Sequence, residues 1–208
     1  MTTLQGTSRG KTAKRNAILR SAAAVFANEG FRGADVQVIA DRAEVGKGTV
    51  YRYFGDKQDL FWETVYWVLD QLHDRLKHAV SEEDRPLEQL MAACVAYGRF
   101  FEENPDYLEI FVLDRAEFRG KAPEARQQRH EEMIQQFAEI VEQGIREGDI
   151  APLDARMTVL LLGSTLHGAA VCAAFPKMKC SVAEMTAYAG ENFIRGIRSG
   201  LRQEGGGR

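Results

Sequence analysis

One stretch of this sequence, Asp35 to Leu60, constrains the fold more than any other. Its first part has four apolar residues at i, i+3, i+4 and i+7, the spacing of one helical face: Val36, Ile39, Ala40 and Ala43. Asp35 stands where an N-cap belongs, since its carboxylate can accept backbone N–H bonds. A corner at Glu44–Gly46 separates this helix from a second one, in which Val50 and Phe54 lie four apart on the inner side.

The outer side of the second helix carries small, basic and phenolic residues: Lys47, Gly48, Thr49, Tyr51, Arg52 and Tyr53. Packing alone explains poorly why a short helix should bury two residues and expose these groups. The arrangement is typical of the recognition helix of a helix-turn-helix, which presents such side chains to the major groove of DNA. The stretch is therefore interpreted as a DNA-binding element.

The pattern of fixed positions is specific enough to point to a family. It reads Val-x-x-Ile-Ala-x-x-Ala-x-Val-x-Lys-Gly-Thr-Val-Tyr-Arg-Tyr-Phe-x-x-Lys-x-x-Leu. It resembles the DNA-binding motif of the TetR family of bacterial transcriptional regulators, over roughly residues 12–62. The resemblance implies an all-α fold with an N-terminal three-helix helix-turn-helix module joined to a larger helical ligand-binding and dimerisation domain. We expect these at residues 1–57 and 58–208.

The DNA-binding candidates divide by chemistry, because phosphate contacts position a protein on DNA whereas base contacts specify the sequence. We expect Lys47, Tyr53 and Lys57 to contact phosphates, with Thr49 adding a backbone contact. Gly48 lets the helix approach the groove closely. Tyr51 and Arg52 are the candidates for base edges, the arginine for guanine O6 and N7.

Two alternatives remain open at this motif. Arg52 can instead form an i,i+4 ion pair with Asp56, which is worth only tenths of a kcal/mol. In addition, two positions depart from the usual pattern of the resembled family. Glu44 stands at the corner where glycine is common, and Gly46 stands at an N-cap where serine or threonine is common. The departures leave the detailed geometry of the corner open.

Charge is distributed unevenly along the chain, although its formal net charge is only -3. Residues 1–57 hold ten Lys or Arg against five Asp or Glu, whereas the remainder holds 17 against 25. A basic N-terminal module on an acidic body favours phosphate contact at one end only. The basic residues before the motif, including Lys14 and Arg15, could also reach a DNA backbone.

Helical periodicity dominates the rest of the chain, with no sustained alternation of the kind that strands show. The first helix is predicted at Lys11 to Asn28, followed by Gly30 as its C-terminal cap. The later helices are predicted at about 57–80, 86–103, after Pro105, 123–147, 157–176 and 181–202.

Two groups of residues in the larger domain are candidates for binding roles, and the resemblance supplies the reason. Aromatic, Met and His positions on inner faces are expected to line an effector pocket: Tyr97, Phe101, Phe111, Met133, Phe137 and His167. For each residue alone, an ordinary place in the core is the alternative. A second group is expected at the interface of a homodimer, where small residues permit close helix approach: Ser164, Gly168, Cys172, Ala189 and Phe193.

Other functional classes receive little support. The three cysteines form no CxxC or metal spacing, so we expect free thiols in a reducing cytoplasm, and neither a metal nor a cofactor. No paired carboxylates or nucleophile–base motif indicate an enzyme. Residues 157–176 carry no formal charge, yet Ser164, Thr165 and His167 interrupt them, so we do not expect a membrane span. Residues 1–15 do not resemble a signal peptide.

The resulting hypothesis is a homodimeric, ligand-responsive transcriptional regulator that binds a near-palindromic double-stranded DNA operator and is released by a small-molecule effector. Repression is the expected mode. The alternative is a helical small-molecule-binding or scaffold protein whose DNA module has lost operator recognition, a reading that only Glu44 and Gly46 support.

Overall fold

The structure is a computed structural model, and it describes residues 4–118, 124–175 and 177–199. Within these ranges it contains helices and no β-strand, as the sequence predicted. The helices are α1 (Leu4–Gly33), α2 (Val36–Arg42), α3 (Lys47–Phe54), α4 (Lys57–Ser81), α5 (Pro86–Glu103), α6 (Pro105–Phe118), α7 (Glu124–Glu147), α8 (Ala155–Ala173) and α9 (Val182–Ile197).

The chain divides into two compact units. Unit 1 contains Met1–Asp70 and Pro105–Lys121, and unit 2 contains Gln71–Asn104 and Ala122–Arg208. The helix α4 therefore contributes its first part to unit 1 and its last part to unit 2. The boundary between the compact units falls after Asp70 and not after residue 57. That the DNA-binding domain ends at residue 57 and the effector-binding domain begins at 58 stays a prediction.

Unit 1 is built on a cluster of aromatic side chains from α1 and α4. The rings of Phe26 and Phe61, both fully buried, meet edge to face at 5.2 Å between centroids. Phe31 meets Phe61 in the same way at 5.4 Å. Helix α1 also packs against α2 and α6. The packing of α1 against α2, α4 and α6 supports the helix-turn-helix, which α2 and α3 form.

Unit 2 contains a close approach of two helices, α5 and α9, which depends on glycine. A Cβ at Gly98 would lie 1.8 Å from Thr186 Oγ1 and 2.9 Å from Ala183 Cα. A Cβ at Gly190 would lie 2.6 Å from the Cβ of Cys94. Helices α7 and α8 complete the unit, with α8 packed against both α7 and α9.

Helix α5 agrees with its prediction at both ends, whereas α1, α8 and α9 differ from theirs. The first helix is longer than expected, because the residues before Lys11 carry no apolar stripe that would have revealed it. Gly30 does interrupt helical geometry, with φ 70° and ψ 168°, although the helix is assigned through Gly33. Helix α9 ends earlier than predicted, at Ile197, and begins with a capping box of Ser181 and Glu184.

Candidate nucleic-acid interface

The corner between α2 and α3 forms with both unusual residues in place. Glu44 has φ 55°, the left-handed region in which a side chain costs about 1–2 kcal/mol. Three consecutive backbone bonds close the corner: Ala43 N to Ile39 O at 3.0 Å, Glu44 N to Asp41 O at 3.1 Å, and Val45 N to Ala40 O at 3.0 Å. The corner therefore has the left-handed backbone that glycine adopts most easily, and the conformational cost at Glu44 is set against these three hydrogen bonds.

The start of α3 is capped by backbone alone. Gly46 is the N-cap in an extended conformation, without a side-chain bond, and its carbonyl accepts Thr49 N at 2.7 Å. Val50 and Phe54 then bury the inner side of the helix, at 1% and 6% exposure. Two buried anchors four residues apart fix which side of α3 faces outward.

The predicted DNA-binding residues, six on α3 and Lys57 at the start of α4, differ in how far they are exposed. Gly48, Tyr51 and Arg52 are exposed, with Tyr51 at 41%. Lys47, Thr49, Tyr53 and Lys57 are half-buried. One short helix thus presents hydroxyl, phenol and guanidinium groups, which are of the kinds that contact phosphates and base edges in protein–DNA complexes.

Arg52 does not take the alternative ion pair with Asp56 in the part of the chain that the structure describes. The Asp56 carboxylate accepts the backbone N–H of Asp59 at 2.8 Å, which caps the start of α4. Within the same described residues Arg52 has no carboxylate partner, so its guanidinium is available to an external acceptor.

Lys47 is held lightly by an exposed carboxylate. Its Nζ lies 3.5 Å from Oδ1 of Asp35, and the side chains of Lys47 and Asp35 are 41% and 59% exposed. Asp35 is the N-cap of α2, as predicted, and accepts Gln37 N at 2.8 Å. That backbone bond, together with Lys47 and Lys57, holds the pKa of Asp35 below its usual value. Because exposed ion pairs are weak, Lys47 can exchange this partner for a phosphate at little cost.

Lys57 is engaged much more firmly, which the sequence did not reveal. Its Nζ donates to Ala34 O at 2.7 Å and to Arg32 O at 3.0 Å. The same ammonium lies 5.3 Å from the centroid of the Phe31 ring. No sequence signal marks such a contact, because the acceptors are main-chain oxygens that every residue has.

Arg15, considered above for the DNA backbone, points into the module instead. Its guanidinium pairs with Glu63 of α4 and lies 5.6 Å from the centroid of the Phe54 ring. Arg15 therefore ties α1 to α3 and α4, while 38% of its side chain stays exposed.

The predicted effector-pocket residues are brought together only in part. Tyr97 OH lies 3.4 Å from His167 Nδ1, and the Tyr97 and Phe101 rings are 4.9 Å apart between centroids. Met133 and Phe137 lie on α7 of the same unit, with Phe137 buried. Phe111 belongs to α6 in unit 1. Burial raises the pKa of Tyr97 well above its ordinary value, so the phenol stays protonated as a hydrogen-bond donor.

Unit 2 also has an open groove of about 550 Å³ between α4 and α5. Arg75, Met91 and Arg99 are among its lining residues, and none of the six predicted pocket residues borders it. Arg75 is occupied by both carboxylate oxygens of Glu103, at 2.9 and 3.0 Å.

The predicted interface residues lie on α8 and α9. Ser164, Gly168 and Cys172 are exposed along one side of α8, whereas Ala189 and Phe193 on α9 are half-buried. Large apolar side chains are exposed on the same two helices and just beyond α8: Met157 at 54%, Leu161 at 54%, Phe175 at 62% and Tyr188 at 68%. Contiguous apolar exposure of this kind is typical of an interaction surface.

The described residues also bear on metal binding and on membrane insertion. Among the described residues, no group of three or more His, Cys, Asp or Glu side chains could hold a metal ion. One described helix, α8, is long and apolar enough to cross a membrane, with 22% of its apolar window buried. A single helix of this kind is weak support for a membrane protein, because core and interface helices have the same composition.

The corner, the anchored α3 and the helical body define a class of protein: a transcriptional regulator with an N-terminal helix-turn-helix. Residues 18–64 match the family model described as bacterial regulatory proteins, tetR family. Residues 83–171 match the model described as tetracyclin repressor-like, C-terminal domain. The two models together span more than half of the chain, which belongs to the TetR family of transcriptional regulators.

Curated relatives agree with this assignment. The transcriptional repressor KstR2 of Mycobacterium tuberculosis is 29% identical over 141 residues, covering 67% of this chain and 70% of the relative. The uncharacterised regulator YhgD of Bacillus subtilis is 27% identical over 150 residues, covering 72% and 78%.

Solved structures show the same fold. The fatty acid degradation regulator FadR from Bacillus halodurans aligns with a TM-score of 0.79 at 19% identity, over 91% of this chain and 96% of that one. The two family models and the curated relatives support the prediction that the chain is a ligand-responsive transcriptional regulator. The alternative of a module without operator recognition is not favoured, and the corner on which it relied forms with Glu44 and Gly46 in place.

Proposed function

We propose that this protein is a homodimeric repressor in the cytoplasm whose α3 enters the major groove of a near-palindromic DNA operator. The observation that carries the proposal is the two-sided nature of α3. Val50 and Phe54 fix its inner side in the core, while Tyr51 and Arg52 stand exposed on the other side. Two copies of α3 about 34–36 Å apart would reach successive major grooves.

The individual contacts follow from the geometry of α3. Arg52, which has no carboxylate partner in the described residues, is proposed to donate to guanine O6 and N7, and Tyr51 to contact a thymine methyl group. Lys47 and Tyr53 are proposed to contact phosphates, with Thr49 adding a backbone contact. Gly48, beside which a Cβ would meet nothing within 4 Å, leaves room for the sugar–phosphate chain.

Dimerisation is proposed through the exposed sides of α8 and α9. Ser164, Gly168 and Cys172 repeat every fourth residue and would let a partner helix approach closely. Two such helices from each copy would form a four-helix interface that buries the apolar side chains of Met157 and Leu161. The burial would remove the exposure that α8 shows in a single chain.

The effector is proposed to be a small molecule that binds unit 2 near Tyr97, Phe101 and His167. To release DNA, it must bind the released state more tightly than the DNA-bound state, and a coupling of about 1–3 kcal/mol is typical. The proposal requires no cofactor, metal or catalytic step, and it leaves the regulated genes to experiment.

The proposal is tested by selecting binding sites from random double-stranded DNA with the purified full chain. We expect enrichment of an inverted repeat, with tighter binding to it than to bulk competitor DNA, and release by one member of a small-molecule panel. Absence of any sequence preference, in every ligation state and at moderate salt, would reject the function.

A further inference from the structure

The segment that contains the whole helix-turn-helix begins and ends at a single point of contact. Ala34 precedes the N-cap of α2, and Lys57 is the first residue of α4, 23 positions later. The Lys57 Nζ donates to the main-chain oxygen of Ala34 at 2.7 Å and to that of Arg32 at 3.0 Å. Everything between them, α2, the corner, α3 and the turn into α4, therefore forms a closed loop.

The chemistry of these acceptors suits a cation. The last carbonyls of a helix have no intrahelical partner and carry the negative end of its dipole. Arg32 lies in the last turn of α1, after the interruption at Gly30, and Ala34 is the first residue beyond Gly33. An ammonium that donates to their main-chain oxygens makes charge-assisted bonds. The Phe31 ring, 5.3 Å away, adds its negative face to the same site.

The two lysines of the motif differ clearly in their surroundings. Lys47 meets one exposed carboxylate at 3.5 Å, a contact that DNA phosphate can replace. Lys57 uses two of its three N–H groups on main-chain oxygens, one bond exposed and the other partly buried, so recruiting it fully to a phosphate would break the loop closure.

We propose that Lys57 is a positioning residue of the DNA-binding module and not a phosphate ligand. By joining the start of α4 to the end of α1, it holds α3 in the orientation that operator binding needs. The inference rests on the proposed function, and it changes the role that the sequence pattern alone assigned to Lys57.

The test compares Lys57→Met with Lys47→Met in the full chain, because methionine keeps much of the stem and removes every donor. Operator affinity and affinity for random-sequence DNA are measured across a series of salt concentrations. We expect Lys57→Met to weaken operator binding about tenfold while the slope of log K against log salt stays that of the wild type. Lys47→Met should flatten the slope by about one unit and weaken both DNAs alike.

A second readout needs no DNA. Amide hydrogen exchange in the first turn of α2 should accelerate in Lys57→Met and stay at the wild-type rate in Lys47→Met. Lys57→Gln, which retains one amide donor, should give an intermediate exchange rate and an intermediate loss of operator affinity, and it replaces Lys57→Met if that variant does not fold.

Three results would overturn the inference. A slope flattened by one unit in the Lys57 variants would make Lys57 a phosphate ligand. Faster exchange with unchanged operator affinity, measured well below the melting temperature, would make it a stability residue only. If the Lys57 variants kept the wild-type amide exchange rate in α2 and the wild-type operator affinity, the contact of Lys57 with Arg32 and Ala34 would have no role in positioning α3. Failure of the wild type to prefer any operator is a separate outcome, which rejects the proposed function while the exchange experiment still reports on Lys57.

Discussion

Single residues decide how this module meets DNA, and Glu44 shows that the usual residue types are not all required. A left-handed corner is easiest for glycine, yet the three backbone bonds around Glu44 hold it there. Gly46 likewise caps α3 without a side-chain bond. Glu44 and Gly46 both precede α3, and neither is among the predicted DNA-binding residues. The exposed side chains of α3 therefore keep their places with these two residues present.

Lys47→Ala is expected to weaken binding to all DNA sequences, since its proposed contact is with phosphate. The salt slope should fall by about one unit, because one fewer counterion is released. Filter binding or fluorescence anisotropy across salt concentrations measures this, with Gln37→Ala on the exposed side of α2 as the control. An unchanged slope for Lys47→Ala would remove it from the phosphate set.

The capping carboxylate of Asp35 should give the protein a pH-dependent contribution to stability. Its pKa in the folded state is lowered, first by the backbone bond from Gln37. The contribution is therefore complete above the unfolded pKa of about 3.9 and is lost as pH falls through the lower folded pKa. Melting temperatures of the wild type and Asp35→Asn, measured from pH 7 to pH 2, should converge at the acid end. A constant difference would contradict the assignment.

Cys94 is expected to be inert in the folded protein. Burial raises the pKa of its thiol to about 12, and the side chain lies against Gly190. In a Cys172→Ser, Cys180→Ser variant, Cys94 is the remaining thiol of the three in the sequence. A thiol reagent at pH 8 should react with it only after denaturant is added, because little thiolate forms in the fold. Rapid reaction of the folded variant would show that the site opens.

At the scale of helices, the contact between α5 and α9 leaves no room for added volume at Gly98. Gly98→Ala places a methyl group 1.8 Å from Thr186 Oγ1, so the helices must separate. We expect a loss of about 1–3 kcal/mol in the free energy of unfolding, measured by urea denaturation. Gly196→Ala, where a Cβ meets nothing within 4 Å, is the matched control and should stabilise by about 0.5–1 kcal/mol.

The sequence predicts a helix well where its apolar stripe and the residues that begin and end it lie within the helix or next to it. Helix α5 begins at Pro86 and ends at Glu103, as its pattern indicated, and α4 begins at Lys57. Long-range partners were not readable in the same way, because periodicity shows that a face is buried but not against what. The sequence therefore predicts Phe111 among the pocket residues, whereas in the structure its helix α6 packs against α1 in unit 1.

For the whole molecule, dimerisation is the property on which operator spacing depends. Gly168→Arg is expected to leave each chain folded, because a Cβ there meets nothing within 4 Å, and to block the partner helix. Sedimentation should show a monomer. In a DNA-binding assay its operator affinity should be reduced at least tenfold, since one chain can no longer bind both half-sites together with its partner. Gln135→Arg, on the exposed side of α7, adds the same group elsewhere and should stay dimeric. A dimeric Gly168→Arg would move the interface to another surface.

The acceptors of the Lys57 ammonium have a consequence for comparing this chain with its relatives. Both hydrogen-bond acceptors, at Arg32 and Ala34, are main-chain oxygens, so a change of side chain at either position leaves the acceptor in place. Both positions can therefore be substituted during evolution while the hydrogen bonds from Lys57 are kept. An alignment would then show variable columns at one end of the contact and would conceal a feature that every such chain could share.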